Sequence, residues 1–186
     1  MTSISYIHDL EKMKPLINIL IRSHRPEKLK ACLSSISEQT YENKLIWLDE
    51  NGGGMPDFTY NGLCNKLKAK IDDGWFFFLD DDDTLWSSTS LAEIAEHLAN
   101  PNEAVICQFS RNGWLKPTDE MIKGECFIEG QIGMPCLFLH HSQKDVANIP
   151  STENGDFLWI SEVVSKLTPK YVPVIVVNSP QRSRGK

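Results

Sequence analysis

The stretch WFFFLDDDD, residues 75–83, drives five apolar residues straight into four consecutive carboxylates. A run with no polar face reads as a strand buried on both sides, and such strands belong to parallel sheets covered by helices. The aspartates that follow repel one another. At ~5 Å and an effective dielectric of ~20, each neighbouring pair costs roughly 3 kcal/mol. Something must therefore supply counter-charge at the strand end. A divalent cation is the simplest candidate, because hard Mg²⁺ and Mn²⁺ take oxygen ligands. Asp80 and Asp82 can project to one side and hold it, with Asp83 a further ligand. The plain alternative is an acidic turn whose charge spreads into water.

The rest of the chain extends the same pattern. LINILI (16–21) is another continuous apolar run, and KLIWLD (44–49) a short strand. Between them RPEKLKACLSSISEQ reads as a helix, with Pro26 suited to its first turn and Leu29, Leu33 and Ile36 on one face. ENGGGMPDFTYNG is loop by its Gly and Pro content, and LCNKLKAKI (63–71) is helical. Ser90 and Glu93 form a capping box before LAEIAEHLA. EAVICQFS (103–110) is a strand, CFIEG and MPCLFLHH are short strands around turns, and GDFLWISEVVSKL (155–167) is a helix. YVPVIVVN (171–178) is the last strand, with Pro173 marking an edge or a strand start.

Strand–helix alternation predicts an α/β fold with a mixed, mainly parallel sheet flanked by helices. A single domain over 1–186 is expected, with an arm at 1–14, halves at 15–100 and 101–178, and a basic tail at 179–186. Ligands in such sheets bind at the carboxyl ends of the strands. Arg22–Ser23–His24, Asp49–Glu50 and Asp80–Asp83 are thus predicted to converge on one edge.

Composition narrows the partners. A formal charge of −6 argues against non-specific nucleic-acid binding, which needs a basic face. Cys32, Cys64, Cys107, Cys126 and Cys136 contain no Cys-x-x-Cys pair, so neither a zinc knuckle nor a disulfide framework is indicated. They read as buried small hydrophobes in a reducing, cytoplasmic protein. No apolar run approaches the ~20 residues of an integral membrane segment, and no apolar leader precedes a cleavage site.

Two blocks, ILIRSHRPEKLKACLSSISEQTYENKLIWLDENGG and DGWFFFLDDDDTLW, together resemble the family 2 glycosyltransferases of the GT-A (Rossmann-like) fold. That family shows a strand, a turn near PTYNRPEKL, a helix ending CLxSIxxQTY, and a strand ending in Asp. A helix carrying Asn follows, then G-E-Y-I-x-F-L-D-x-D-D. The similarity covers residues 16–100 in order. It implies inverting, metal-dependent transfer of a sugar from a UDP- or GDP-type nucleotide-sugar donor to a hydroxyl acceptor, which can be a glycan, a lipid-linked sugar or a protein. Mn²⁺ or Mg²⁺ is the implied cofactor.

Residue by residue, the resemblance places Ser23 against the nucleotide, with Arg22 or His24 as alternatives because the turn is one residue short. Asp49 matches the acid that reads the base. Asn65 matches the Asn of an A-R-N element, with Cys64 standing where Arg is usual, which removes one expected phosphate or nucleotide contact. Asp80 and Asp82 match the Asp-x-Asp pair for ribose and metal contact, and Asp81 joins the nucleotide-sugar-binding set. A structural hydroxyl at Ser23 and a helix-surface amide at Asn65 are the plain alternatives.

Inversion also needs a carboxylate that takes the acceptor's proton. The family carries it in an E-D element opening a late helix, which here reads TENGDFLWISE. Asp156, before Phe-Leu-Trp, is the first choice and Glu153 the second; helix capping by Asn154 or Asp156 is the structural alternative. Trp159 is expected in the core. EGQIGMPCLFLHH is the implied acceptor side and floor. Of His140 and His141, adjacent on a strand, at most one reaches the site. Gly52–Gly54 precedes no helix and reads as a loop beside the donor.

Two other functions fit parts of the chain. FFFLDDDDTLW also matches the Asp-x-Asp-x-Thr-Leu signature of haloacid-dehalogenase-like phosphatases, with Asp80 the nucleophile, Asp82 the acid/base and Thr84 a supporting hydroxyl. That motif normally lies on the first strand, whereas two strand–helix units precede it here, and Lys116, Lys123 and Lys144 lack supporting context. The third reading is a nucleotide-sugar-binding module without catalysis.

Overall fold

The computed structural model describes residues 14–23, 25–49 and 60–180. The arm up to residue 13, His24, Glu50, the triple glycine and the end of the tail lie outside them. The chain runs β1 (Ile17–Arg22), α1 (Pro26–Ser37), β2 (Lys44–Asp49), α2 (Tyr60–Ala69), β3 (Trp75–Asp80), β4 (Thr84–Leu85) and α3 (Ser90–Ala95). It continues with β5 (Glu103–Arg111), β6 (Trp114–Lys116), α4 (Asp119–Lys123), β7 (Leu137–His140), α5 (Gly155–Lys166) and β8 (Thr168–Ser179). The strands form one mixed sheet in the order β2-β1-β3-β7-β5-β8-β4, with β6 paired to β5. Its three parallel ladders, β1·β2, β1·β3 and β5·β8, are long, while the antiparallel ones hold two or three residue pairs each.

β1 and β3 are buried along every residue but the last, which is why both are apolar without alternation. Phe77 stacks on Phe138 of β7 at 4.4 Å, and Phe78 meets Trp159 of α5 edge-on at 5.6 Å. Trp159 is core, as expected. The QTY after α1 ties the layers together. The Gln39 amide donates to the Ser87 carbonyl and accepts the Leu91 N–H, and the Tyr41 hydroxyl donates to the Pro15 carbonyl.

Several local expectations are corrected. Ser90 is not the cap of α3: Thr89 stands there and its hydroxyl reaches Glu93, while Ser90 Oγ accepts the Ser87 N–H. CFIEG is not a strand, and Met134–Cys136 is a 3-10 turn leading into β7. Pro173 is inside β8, not at its start. Pairing with β5 jumps there from Ile106–Tyr171 to Gln108–Ile175, and a residue without an N–H sits in the bulge. Four of the five cysteines are buried and none is disulfide-bonded; Cys126 is exposed. Among the described residues no helix is long and apolar enough to cross a membrane.

Candidate active site

Parallel register sets the site. Arg22 lies directly between Asp49 and Asp80, the last residues of the flanking strands. The Ser23 N–H donates to the Asp49 carbonyl at 2.8 Å, carrying the ladder one residue further. Beyond β3 the Asp83 N–H turns back to the Asp80 carbonyl at 3.0 Å, which folds the four aspartates into one knot. β4 then pairs with the end of β8 and brings Asp83 to Ser179. The predicted convergence of three strand ends is observed for the described residues.

The counter-charge in this structure is arginine. Arg25, at the entrance to α1, holds two of the acids. Its main-chain N–H donates to Asp81 Oδ2 and its Nε to Asp81 Oδ1, both at 2.9 Å, and Nη2 closes on the same Oδ1. The same guanidinium donates from Nη1 to Asp82 Oδ2 and from Nη2 to Asp82 Oδ1, both at 2.7 Å. Lys28 Nζ lies 3.7 Å from Asp82 Oδ2. Arg22 Nε donates to Asp80 Oδ1 at 2.9 Å, and its Nη1 to Asn61 Oδ1 at 3.1 Å. Burial works against the charge of both arginines, yet the neighbouring aspartates outweigh it and hold them firmly cationic.

The four acids therefore differ. Asp81 is wholly buried, clamped by Arg25 and by the Ser23 hydroxyl at 3.4 Å, so it braces the β1–α1 turn. Asp80 keeps the most exposed side chain of the four acids. Burial, then the charge of Asp80, pushes the Asp83 carboxyl up to about 8, against the pull of the Ser179 hydrogen bond and of Arg111.

Asp156 sits in the first turn of α5, its Oδ1 accepting the Phe157 N–H at 2.8 Å. Burial raises its carboxyl above the usual range and Asp80 adds to the rise, while the Phe157 N–H and Arg22 oppose it. It thus shares the electrostatic field of Asp80 and Arg22. Glu153 is exposed on the preceding turn, and Asn154, at the cap position, makes no side-chain cap bond.

One glycine allows this approach, and a second lies beside it. A Cβ on Gly155 would lie 2.2 Å from the Pro150 carbonyl and 2.5 Å from Asn61 Nδ2, so only glycine lets α5 start against α2. A Cβ on Gly133 would lie 3.5 Å from Asp156 Oδ2, which puts part of the predicted acceptor-side segment beside Asp156. Asn61 Nδ2 also donates to the Pro150 carbonyl at 2.6 Å. Asn61 therefore connects the α5 entrance to Arg22, and through Arg22 to Asp80.

Other candidates lie elsewhere. Both ends of the Asn65 amide are engaged by the Ile149 main chain, at 2.9 and 3.0 Å, so it pins a loop. His140 pairs with Trp75 at the opposite end of β3, roughly 16 Å along the strand from Asp80. His141 follows it there, and neither reaches the acids. Arg25, Asn61 and Gly155 are the members sequence reasoning missed. The available signal was the pair of arginines at the end of β1 and just past it, opposite the acids in any parallel topology. Among the described residues no group of three or more His, Cys, Asp or Glu side chains converges as a metal cage. The oxygens of Asp80 and Asp82 nonetheless suit a hard cation that completes its shell with phosphate and water.

No protein-family model matches the chain, and no curated protein matches it in sequence. Solved structures do match in shape. S. aureus TarS aligns with a TM-score of 0.69 at 10% identity, over 89% of this chain and 37% of TarS. TarS 1–349 in complex with UDP-GlcNAc aligns at 0.64 and 10% identity, over 92% and 60%. The mannosyltransferase PcManGT from Pyrobaculum calidifontis, in complex with GDP-Man and Mn²⁺, aligns at 0.67 and 12% identity, over 94% and 59%. The fold is that of the GT-A glycosyltransferases. This chain spans between 37% and 60% of the length of these structures. The Asp-x-Asp strand is the third in the chain, after two complete strand–helix units, and not the first, where the haloacid-dehalogenase signature normally lies.

Proposed function

We propose that this chain is the catalytic part of an inverting glycosyltransferase of family 2, moving a sugar from a UDP- or GDP-type donor to a hydroxyl acceptor in the cytoplasm. One observation carries the reading: in a GT-A fold, Asp156 is brought into the electrostatic field of Asp80 and Arg22 at the carboxyl edge of β1–β3. In this reading Asp49 and Ser23 lie by the nucleoside, and Asp80 faces the ribose and diphosphate. Asp80 and Asp82, with Asp83, would hold Mn²⁺ or Mg²⁺. Bound there, the ion would neutralise the departing nucleoside diphosphate.

Asp156 takes the acceptor's proton as the hydroxyl attacks the anomeric carbon. Its raised affinity for protons suits that task, because a base too weak to hold a proton assists little. Arg22 keeps the base ionised and fixes Asp80. Glu153, exposed on the turn, is the second choice. The donors named for the neighbouring structures, UDP-GlcNAc and GDP-Man, are the first to try.

The test is nucleotide release from these donors with Mn²⁺. Wild type should turn over slowly even with water as acceptor. Asp156→Asn should bind donor and stall, whereas Asp82→Ala should lose both binding and turnover. Equal loss of donor binding in the two variants contradicts the assigned roles. The engagement of both Asp82 oxygens by Arg25 favours one second reading, a binding module without catalysis. It predicts donor binding with no nucleotide release from wild type.

A further inference from the structure

We infer that Arg25 competes with a divalent cation for Asp82, so that the site admits the cation only together with the donor's diphosphate. The inference rests on the reading of Asp82 as a cation ligand. Both Asp82 oxygens accept from one guanidinium at 2.7 Å, and only 4% of the side chain is exposed. A cation needs those oxygens at about 2.0–2.1 Å if it is Mg²⁺. It cannot reach them while a planar, permanently charged fork occupies the face they share. Lys28, one turn into α1, adds a second positive charge on Oδ2.

Arg25 is well placed to change partner. Its main-chain N–H holds Asp81, so the residue stays anchored at the α1 entrance if the guanidinium swings away. Phosphate oxygens offer the guanidinium the same bidentate geometry as a carboxylate. When a nucleoside diphosphate enters, Arg25 trades Asp82 for phosphate and Asp82 becomes available to the cation. The swing also gives up the guanidinium's bonds to Asp81 Oδ1, and the buried Asp81 carboxylate then keeps the Arg25 main-chain N–H and the Ser23 hydroxyl. Cation and nucleotide then bind with positive coupling, and each raises the other's affinity by the same factor.

Mn²⁺ binding is measured by loss of the free-ion electron paramagnetic resonance signal, alone and with saturating UDP or GDP, and only the loss beyond that of a protein-free titration with the same nucleotide, which itself binds the ion, is counted. Wild type should bind Mn²⁺ weakly alone and on the order of tenfold more tightly with the nucleotide. Arg25→Gln should bind Mn²⁺ alone on the order of tenfold more tightly than wild type and show little further gain with nucleotide. Arg25→Lys keeps the charge without the fork and should fall between them; it carries the comparison if the glutamine variant does not fold. Asp82→Asn should abolish the signal loss. Equal, Asp82-dependent affinity in wild type and the Arg25 variants overturns the competition but leaves the metal site standing. No binding to any form, with or without nucleotide, overturns both.

Discussion

Asp156 and Arg22 set each other's chemistry at the scale of single residues. Burial is the main influence lifting the Asp156 carboxyl, Asp80 adds to it, and Arg22 restrains it. In the proposed reading only the ionised Asp156 carboxylate takes the acceptor's proton. Turnover should therefore fall as pH drops through a midpoint above the usual ~3.9 of an aspartate. Arg22→Gln removes a lowering influence and should move that acid limb to higher pH, in profiles of nucleotide release. A limb that stays in place or moves lower would show that Arg22 does not govern the base. Asp156→Asn should cost on the order of 10²–10⁴-fold in turnover. The acids themselves were readable from WFFFLDDDD, and Arg22 from the end of the first strand, but Arg25 was not. Arg25 meets Asp81 and Asp82 across 56 and 57 residues of sequence, and no local pattern encodes such a pairing.

Among the elements, the contact between α2 and the start of α5 matters most. Gly155 leaves room for the Pro150 carbonyl and the Asn61 amide, and Asn61 in turn supports Arg22. Gly155→Ala should force the two helices apart and destabilise the fold by about 1–3 kcal/mol, read as a lower denaturant midpoint at unchanged slope. Turnover should fall more than donor binding, because Asp156 is adjacent to the displaced residue. An alanine variant with wild-type midpoint and turnover would mean the helix starts freely elsewhere.

This contact also shows why Asn61 escapes a reading of the sequence. Tyr60-Asn61-Gly62 carries a turn-forming Asn-Gly pair and reads as loop, yet α2 begins at Tyr60. The strands β1, β2 and β3 were legible almost to the residue, because short apolar runs ending in charge have one reading in an α/β chain. Residues 111–136 were not, because β6, α4 and the 3-10 turn are short pieces shaped by their neighbours rather than by their own periodicity.

For the whole molecule, the parallel core places three strand ends together, and the later strands close the site from the far side. β8 reaches Asp83 through Ser179, and α5 delivers Asp156. A chain of formal charge −6 gathers anionic residues at the edge where the proposed reading seats an anionic donor. Arg22, Arg25 and Lys28 reconcile the two. Calorimetric titration of UDP-GlcNAc and GDP-mannose, with Mn²⁺, into wild type and Asp82→Ala tests this account most directly. The account predicts one saturable site for at least one donor in wild type and its loss in the variant. Identical heats in both proteins, or no binding of either sugar nucleotide to wild type, would contradict it.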